Sequence, residues 1–218
     1  MKKNNENIND LTEMVFVLDK SGSMSGLEKD TVGGFNSMIK KQKGEEGRAY
    51  VSTVLFSNDS TVLHDRVKIE DVEPMTDRDY VPAGCTALLD AVGDAIHHIA
   101  NIHKYARPED VPGKTVFVIT TDGMENASTR YSKEKIKSMI EKEQKKYGWE
   151  FIFLGANIDA VQAAGSIGIS ASRAANYKSD GCGTEVLFDT VTEVVSNVRQ
   201  RMAIPKSWSS RVESDSRR

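Results

Sequence analysis

Only two cysteines, Cys85 and Cys182, occur among 218 residues, and they supply neither a disulfide framework nor a zinc pattern. So few thiols suit a reducing cytoplasm, where a Cys85–Cys182 bridge is not expected. No apolar run approaches the ~20 residues that would span a bilayer. The opening Met1-Lys2-Lys3-Asn4-Asn5-Glu6-Asn7 lacks the apolar stretch of a secretory signal. Positive charge is not in surplus either. The net charge is −3 and the pI about 5.9, so a broad nucleic-acid-binding surface is not expected. Internal repeats and low-complexity linkers are also missing. What remains is an ordinary globular composition, 39% hydrophobic and 28% charged, of a length that can bury one substantial α/β core.

The chain is organised around Met14-Val15-Phe16-Val17-Leu18-Asp19-Lys20-Ser21-Gly22-Ser23-Met24. Its apolar part shows no polar alternate on either face, which predicts a strand buried on both sides of a parallel sheet. The strand then delivers Asp19, Ser21 and Ser23 within five residues, with Gly22 loosening the backbone between them. Crowded neutral and anionic oxygens are the donors that a hard divalent cation takes.

Residues 1–11 read as a loose polar arm, 12–203 as one domain and 204–218 as a polar, flexible tail. Within the domain a helix is expected over 27–43, its Gly33 and Gly34 suggesting close packing against the sheet. Segments 48–56 and 60–69 read as strands. The three-residue link between them forces an antiparallel hairpin, because a parallel crossover needs a dozen residues or more. Helices follow over 86–104, with Thr86 at the N-cap position, and over 132–147. Buried strands are expected at 114–121 and 149–154. A short helix over 158–165, with Asn157 as its cap, precedes a brief strand near 167–169, and a final helix covers 185–202. Strands alternating with helices imply an α/β fold, a mostly parallel sheet with helices on both faces. Ligands bind such sheets at the carboxyl ends of the strands, where successive connections diverge. If the chain leaves the hairpin on one side of the first strand and resumes on the other, Asp19 and Asp122 become neighbours.

Three separated motifs, Asp19-Lys20-Ser21-Gly22-Ser23, Gly84-Cys85-Thr86 and Thr121-Asp122-Gly123, occur in order at these strand ends and helix starts. Together they resemble the metal-ion-dependent adhesion site of von Willebrand factor type A domains. Segments 122–126 and 151–160 are similar to stand-alone bacterial and phage members of that family, some encoded near tellurite-resistance genes. The resemblance implies a doubly wound, Rossmann-like sheet with one antiparallel edge strand. It also implies metal ligation by Asp19, Ser21, Ser23, Thr86 and Asp122, and a protein partner whose Asp or Glu completes the ion's coordination. Cys85 departs from the glycine that many relatives carry there.

The donor types point the same way. Three hydroxyls and two carboxylates suit an octahedral Mg²⁺ at about 2.0–2.1 Å, with Mn²⁺ also acceptable. Ca²⁺ takes more oxygens, and Zn²⁺ prefers His or Cys. Taken singly, each residue has a plainer reading: Asp19 and Asp122 as turn residues, Thr86 as a helix cap, the serines as loop hydroxyls. Glu125 and Asn126 border the site and are candidates for ligand contact or for a turn. His97, His98 and His103 lack an i,i+4 pair and read as helix surface.

The leading expectation is a non-enzymatic, intracellular, metal-dependent protein-binding module with no membrane role. Two alternatives stay open. A Mg²⁺-dependent phosphohydrolase of the haloacid-dehalogenase kind also places an aspartate after a hydrophobic strand. Its second aspartate, the acid/base, would fall at Ser21, which cannot serve in that role near neutral pH. The other alternative is a scaffold that keeps the fold without using a metal.

Overall fold

The computed structural model describes residues 10–218, so residues 1–9 of the expected arm lie outside the described residues. Leu11, placed in that arm, is buried. The strands are β1 (Thr12–Asp19), β2 (Ala49–Phe56), β3 (Ser60–Lys68), β4 (Lys114–Thr121), β5 (Glu150–Gly155) and β6 (Ala174–Asn176). The helices are α1 (Glu28–Lys43), α2 (Leu88–Tyr105), α3 (Lys133–Tyr147), α4 (Ala160–Ser166), α5 (Gly181–Arg199) and α6 (Ser210–Ser216).

One six-stranded sheet has the order β3-β2-β1-β4-β5-β6. The β2–β3 hairpin pairs antiparallel and every other neighbour parallel. The pleat of β1 sends Met14, Phe16 and Leu18 into a core shared with α1, α5 and α6. Val15 and Val17 enter the opposite core with α2, α3 and α4. Both faces are covered, which is why β1, β4 and β5 read as unbroken apolar runs. β1 lies between β2 and β4 with Leu18 opposite Thr120, so the chain diverges to either side of it. That divergence brings the ends of β1 and β4 together.

Several local expectations are corrected. Gly34 is needed where α1 meets α5, since a Cβ there would overlap Phe188, whereas Gly33 faces open space; neither is explained by the sheet. The strand expected near 167–169 is absent. Ile167 and Ile169 are buried in the loop before β6, which is formed by the small residues Ala174–Asn176 pairing with β5. Pairing at a sheet edge overrode their weak intrinsic strand preference.

The tail expected over 204–218 is ordered. Ile204, Trp208 and Val212, four residues apart, are buried in the α1–α5 core, and Trp208 Nε1 donates to the Ser172 carbonyl at 2.9 Å. Three large apolar groups outweigh the polar character of the stretch around them. Among the described residues, no helix is long and apolar enough to cross a membrane.

Candidate metal centre

The site is built where β1 and β4 end. Asp19, the last residue of β1, turns its carboxylate back on its own loop: Oδ1 accepts the Ser21 N–H at 2.7 Å and Oδ2 accepts the Thr121 hydroxyl at 2.7 Å. The buried phenol of Tyr80 donates to the Asp19 carbonyl. Burial holds that phenol well above its ordinary pKa, so it stays a donor at any physiological pH. Ser21 caps and Ser23 lies within a short 3-10 turn over Gly22–Met24, and their Oγ atoms lie 3.1 Å apart. Ser23 Oγ donates in turn to Asp122 Oδ1. Asp19, Ser21, Ser23 and Asp122 are thereby joined into one polar cluster.

Thr86 arrives from the loop before α2. Gly22 N–H donates to the Gly84 carbonyl at 3.0 Å, and Ala83 N–H to the Lys20 carbonyl at 2.9 Å, so this loop lies over the serine loop. Gly84 has φ +77°, and a Cβ there would strike Asn58, which accepts the Cys85 N–H. The position therefore requires glycine. A Cβ built on Gly123 would sit 3.7 Å from Thr86 Oγ1 and 3.8 Å from Ser23 Oγ, so both hydroxyls converge on the Asp122–Gly123 turn. The structure thus brings all five candidate ligands together.

Thr86 is not a helix cap. Ala87 occupies the N-cap position, without a side-chain bond. The cap comes instead from the loop after β4, where Glu125 accepts N–H groups from Leu89 at 2.9 Å, Ala127 at 2.9 Å and Ser128 at 2.7 Å. Asn126 Oδ1 accepts the Thr86 N–H at 2.9 Å, while Asn126 N–H donates to the Thr86 carbonyl at 3.1 Å. These bonds give Glu125 and Asn126, singled out above as candidate ligand contacts, the role of holding Thr86 and the start of α2. Farther along, Asp90 accepts N–H groups from Thr129, Arg130 and Tyr131. Burial would raise its carboxyl, but those bonds outweigh it and hold the pKa below the ordinary value.

Asn157 is not a helix cap either. Asp159 caps α4, accepting from Gln162 N–H at 2.9 Å. Asn157, with φ +56°, donates from Nδ2 to the Asp122 carbonyl at 3.4 Å. Residues that sequence reasoning missed include Tyr80, Thr121 and Ser179, whose Oγ donates to Asp122 Oδ2 at 3.4 Å. Each joins its partner across a separate element, and the hydroxyl of Thr121 beside Asp122 was the one local signal. Cys85 and Cys182 are free and exposed. Of the histidines, His98 is on the helix surface, whereas the side chain of His103 is only 10% exposed and contacts Trp149 and Glu13.

The donor set fits a hard divalent cation. Asp19, Ser21, Thr86 and Asp122 are buried, and Ser23 opens to solvent. Burial pushes the Asp122 carboxyl above its ordinary pKa; the Ser23 hydrogen bond opposes this and the Asp19 charge adds to it. A cation between two enclosed carboxylates relieves both effects. No cluster of three or more His, Cys, Asp or Glu occurs among the described residues.

A doubly wound sheet with a hydroxyl- and carboxylate-lined cluster at its switch point is a defined class of α/β domain. The solved structures it matches place this chain in the von Willebrand factor type A fold. The type V pilus tip protein Mfa5 of Porphyromonas gingivalis, in its vWF domain, matches with TM-score 0.60 and 12% identity over 89% of this chain and 98% of that one. The mussel byssus protein PTMP1, "with zinc occupied MIDAS motif", gives 0.57 and 17% over 87% and 46%. Manganese-loaded TRAP of Plasmodium vivax gives 0.54 and 16% over 82% and 72%. The chain spans less than half the length of the mussel protein. No protein-family model matches the sequence, and neither does any curated protein.

Proposed function

We propose that this chain is a divalent-metal-dependent protein-binding module that takes a partner's Asp or Glu carboxylate at the cluster above, and that it is not an enzyme. The observation that carries the reading is the convergence of Asp19, Ser21, Ser23, Thr86 and Asp122 from three separate loops. Asp19 and Asp122 would supply the negative charge, and the three hydroxyls neutral oxygens. When bound, Mg²⁺ or Mn²⁺ supplies positive charge that a partner carboxylate can meet directly. The chain's own residues hold the donors in place. Thr121 and the Ser21 N–H orient Asp19, while Asn126 fixes the backbone of Thr86.

The zinc-occupied motif of the mussel protein removes the residue-type argument against Zn²⁺, so zinc is included in the test. A phosphohydrolase is disfavoured because Ser21 occupies the acid/base position and its N–H is tied to Asp19. On the same reading the module is intracellular and belongs with the stand-alone bacterial and phage type.

Calorimetry with MgCl₂, MnCl₂ and ZnCl₂ tests this. Wild-type protein should bind, and at one hundred times Kd the ion should add about 2.7 kcal/mol of stability. Asp122→Asn should lose that gain while remaining folded in EDTA. Absence of heat and of thermal shift with every ion would favour a scaffold that leaves its metal site unused.

A further inference from the structure

A cleft between α2 and α3 lies at the end of the sheet away from the candidate ligands. Trp149, in its wall, directly precedes β5, whereas Asp19 ends β1 and Asp122 follows the end of β4. The cleft has a volume of about 770 Å³, within the ~300–1,000 Å³ of small-molecule sites. Ile96, Ala100 and Met139 give it apolar walls, and Tyr131, Tyr147 and Trp149 give it aromatic ones. Two of these rings are held in place. Tyr131 lies against Gly93 of α2, where a Cβ would come within 2.7 Å of the ring. Trp149 stacks on Phe117 at 5.3 Å and meets the His103 ring edge-on at 5.4 Å. His103 Nε2 is in turn 3.3 Å from the buried carboxylate of Glu13.

Glu143, which also lines the cleft, is an acid at a core position. It continues the buried stripe of Ile136 and Ile140 along α3 and is only 2% exposed. Its Oε1 accepts from Lys142 Nζ at 3.0 Å, but Oε2 is buried without a hydrogen-bond partner. A buried carboxylate oxygen left unpaired is costly, so a donor brought into the cleft gains at Oε2. Glu143 is the one acid among the described residues lining the cleft, against Lys104, Lys135 and Lys142. With Lys142 engaged by Glu143, the other two lysines leave the lining positive. We infer that this cleft binds a small aromatic acid bearing a neutral O–H or N–H donor. Its ring packs against Trp149 and Met139, its donor meets Glu143 Oε2, and its carboxylate turns toward the lysines. An organic cation would also satisfy Oε2, but it would face like charge on the rim. An acid without a donor would leave Oε2 unpaired. The inference is independent of the metal-dependent reading.

Calorimetry on the full chain in EDTA, with three probes, tests the inference. The probe para-hydroxyphenylacetate should bind and should shift the NMR resonance of the Trp149 indole N–H. Phenylacetate, which lacks the donor, should bind about ten-fold more weakly, the loss of one hydrogen bond to a charged acceptor. Tyramine, with an ammonium in place of the acid, should also bind about ten-fold more weakly. Glu143→Met keeps the bulk of the side chain without its acceptor, and should bind the two acids equally. If that variant does not fold, the ranking of the probes on the wild-type chain and the Trp149 shift decide the matter. Absence of binding by para-hydroxyphenylacetate, equal affinity for phenylacetate, tighter binding of tyramine or an unmoved Trp149 resonance would each overturn the inference. So would a folded Glu143→Met protein that still prefers the hydroxylated acid. Because EDTA removes any ion, none of these outcomes bears on the metal centre.

Discussion

Replacing Glu125 by Gln separates a residue that builds the site from one that touches a ligand. Oε1 accepts the Ala127 and Ser128 N–H groups, and Oε2 accepts the Leu89 N–H and the Ser128 hydroxyl. A glutamine can keep its oxygen toward Ala127 and Ser128. Its amide nitrogen then faces the Leu89 N–H, leaving that donor without an acceptor, at about 1–3 kcal/mol. Loss of negative charge at the start of α2 adds about 0.3–1 kcal/mol. The sum is about 1–4 kcal/mol. With a urea m-value of about 2–3 kcal/mol/M for a domain of this size, the midpoint should fall by about 1 M in EDTA. Ion affinity should fall as well, because Asn126 and Thr86 lose their anchored neighbour. An unchanged midpoint in EDTA, with only partner binding lost, would refute this account and return Glu125 to the role of a ligand contact.

Two further outcomes concern the rest of the fold. Trp208→Ala should destabilise by about 3–5 kcal/mol, because a buried indole packs the 204–218 segment onto the core; chemical denaturation checks it, and a near-neutral result would mean that the segment adds little. His64 is buried between Thr53 Oγ1 and the Glu73 carbonyl, and burial lowers its pKa below the ordinary 6.5 despite the opposing Glu73 hydrogen bond and Asp79 charge. The folded state therefore resists protonation more than the unfolded state. Stability is full above about pH 6.5 and declines as pH falls from there through the depressed folded value. Denaturation across this range, with an NMR titration of His64, tests the sign; a His64 pKa above 6.5 in the folded protein would reverse it.

Most of the architecture was legible locally. Strands β1, β4 and β5 are buried on both faces and so show as apolar runs, and the three-residue link after Phe56 leaves only a hairpin. The candidate ligands were legible for a related reason, since each stands in a short motif at the end of such a run. The cap of α2 was not legible, because it comes from Glu125, Asn126 and Ser128, more than thirty residues downstream. Nor were β6 and the packed tail, where small or sparse apolar residues acquire their structure only from what they touch.

Amino-acid order by itself determined which oxygen-bearing side chains end the central strands, because hydrophobic runs and turn chemistry act over a few residues. Only the tertiary structure decided that Thr121 and Tyr80 hold Asp19 and that Ser179 reaches Asp122. Those outcomes depend on distances between segments far apart in the chain, which strand order and helix packing set together.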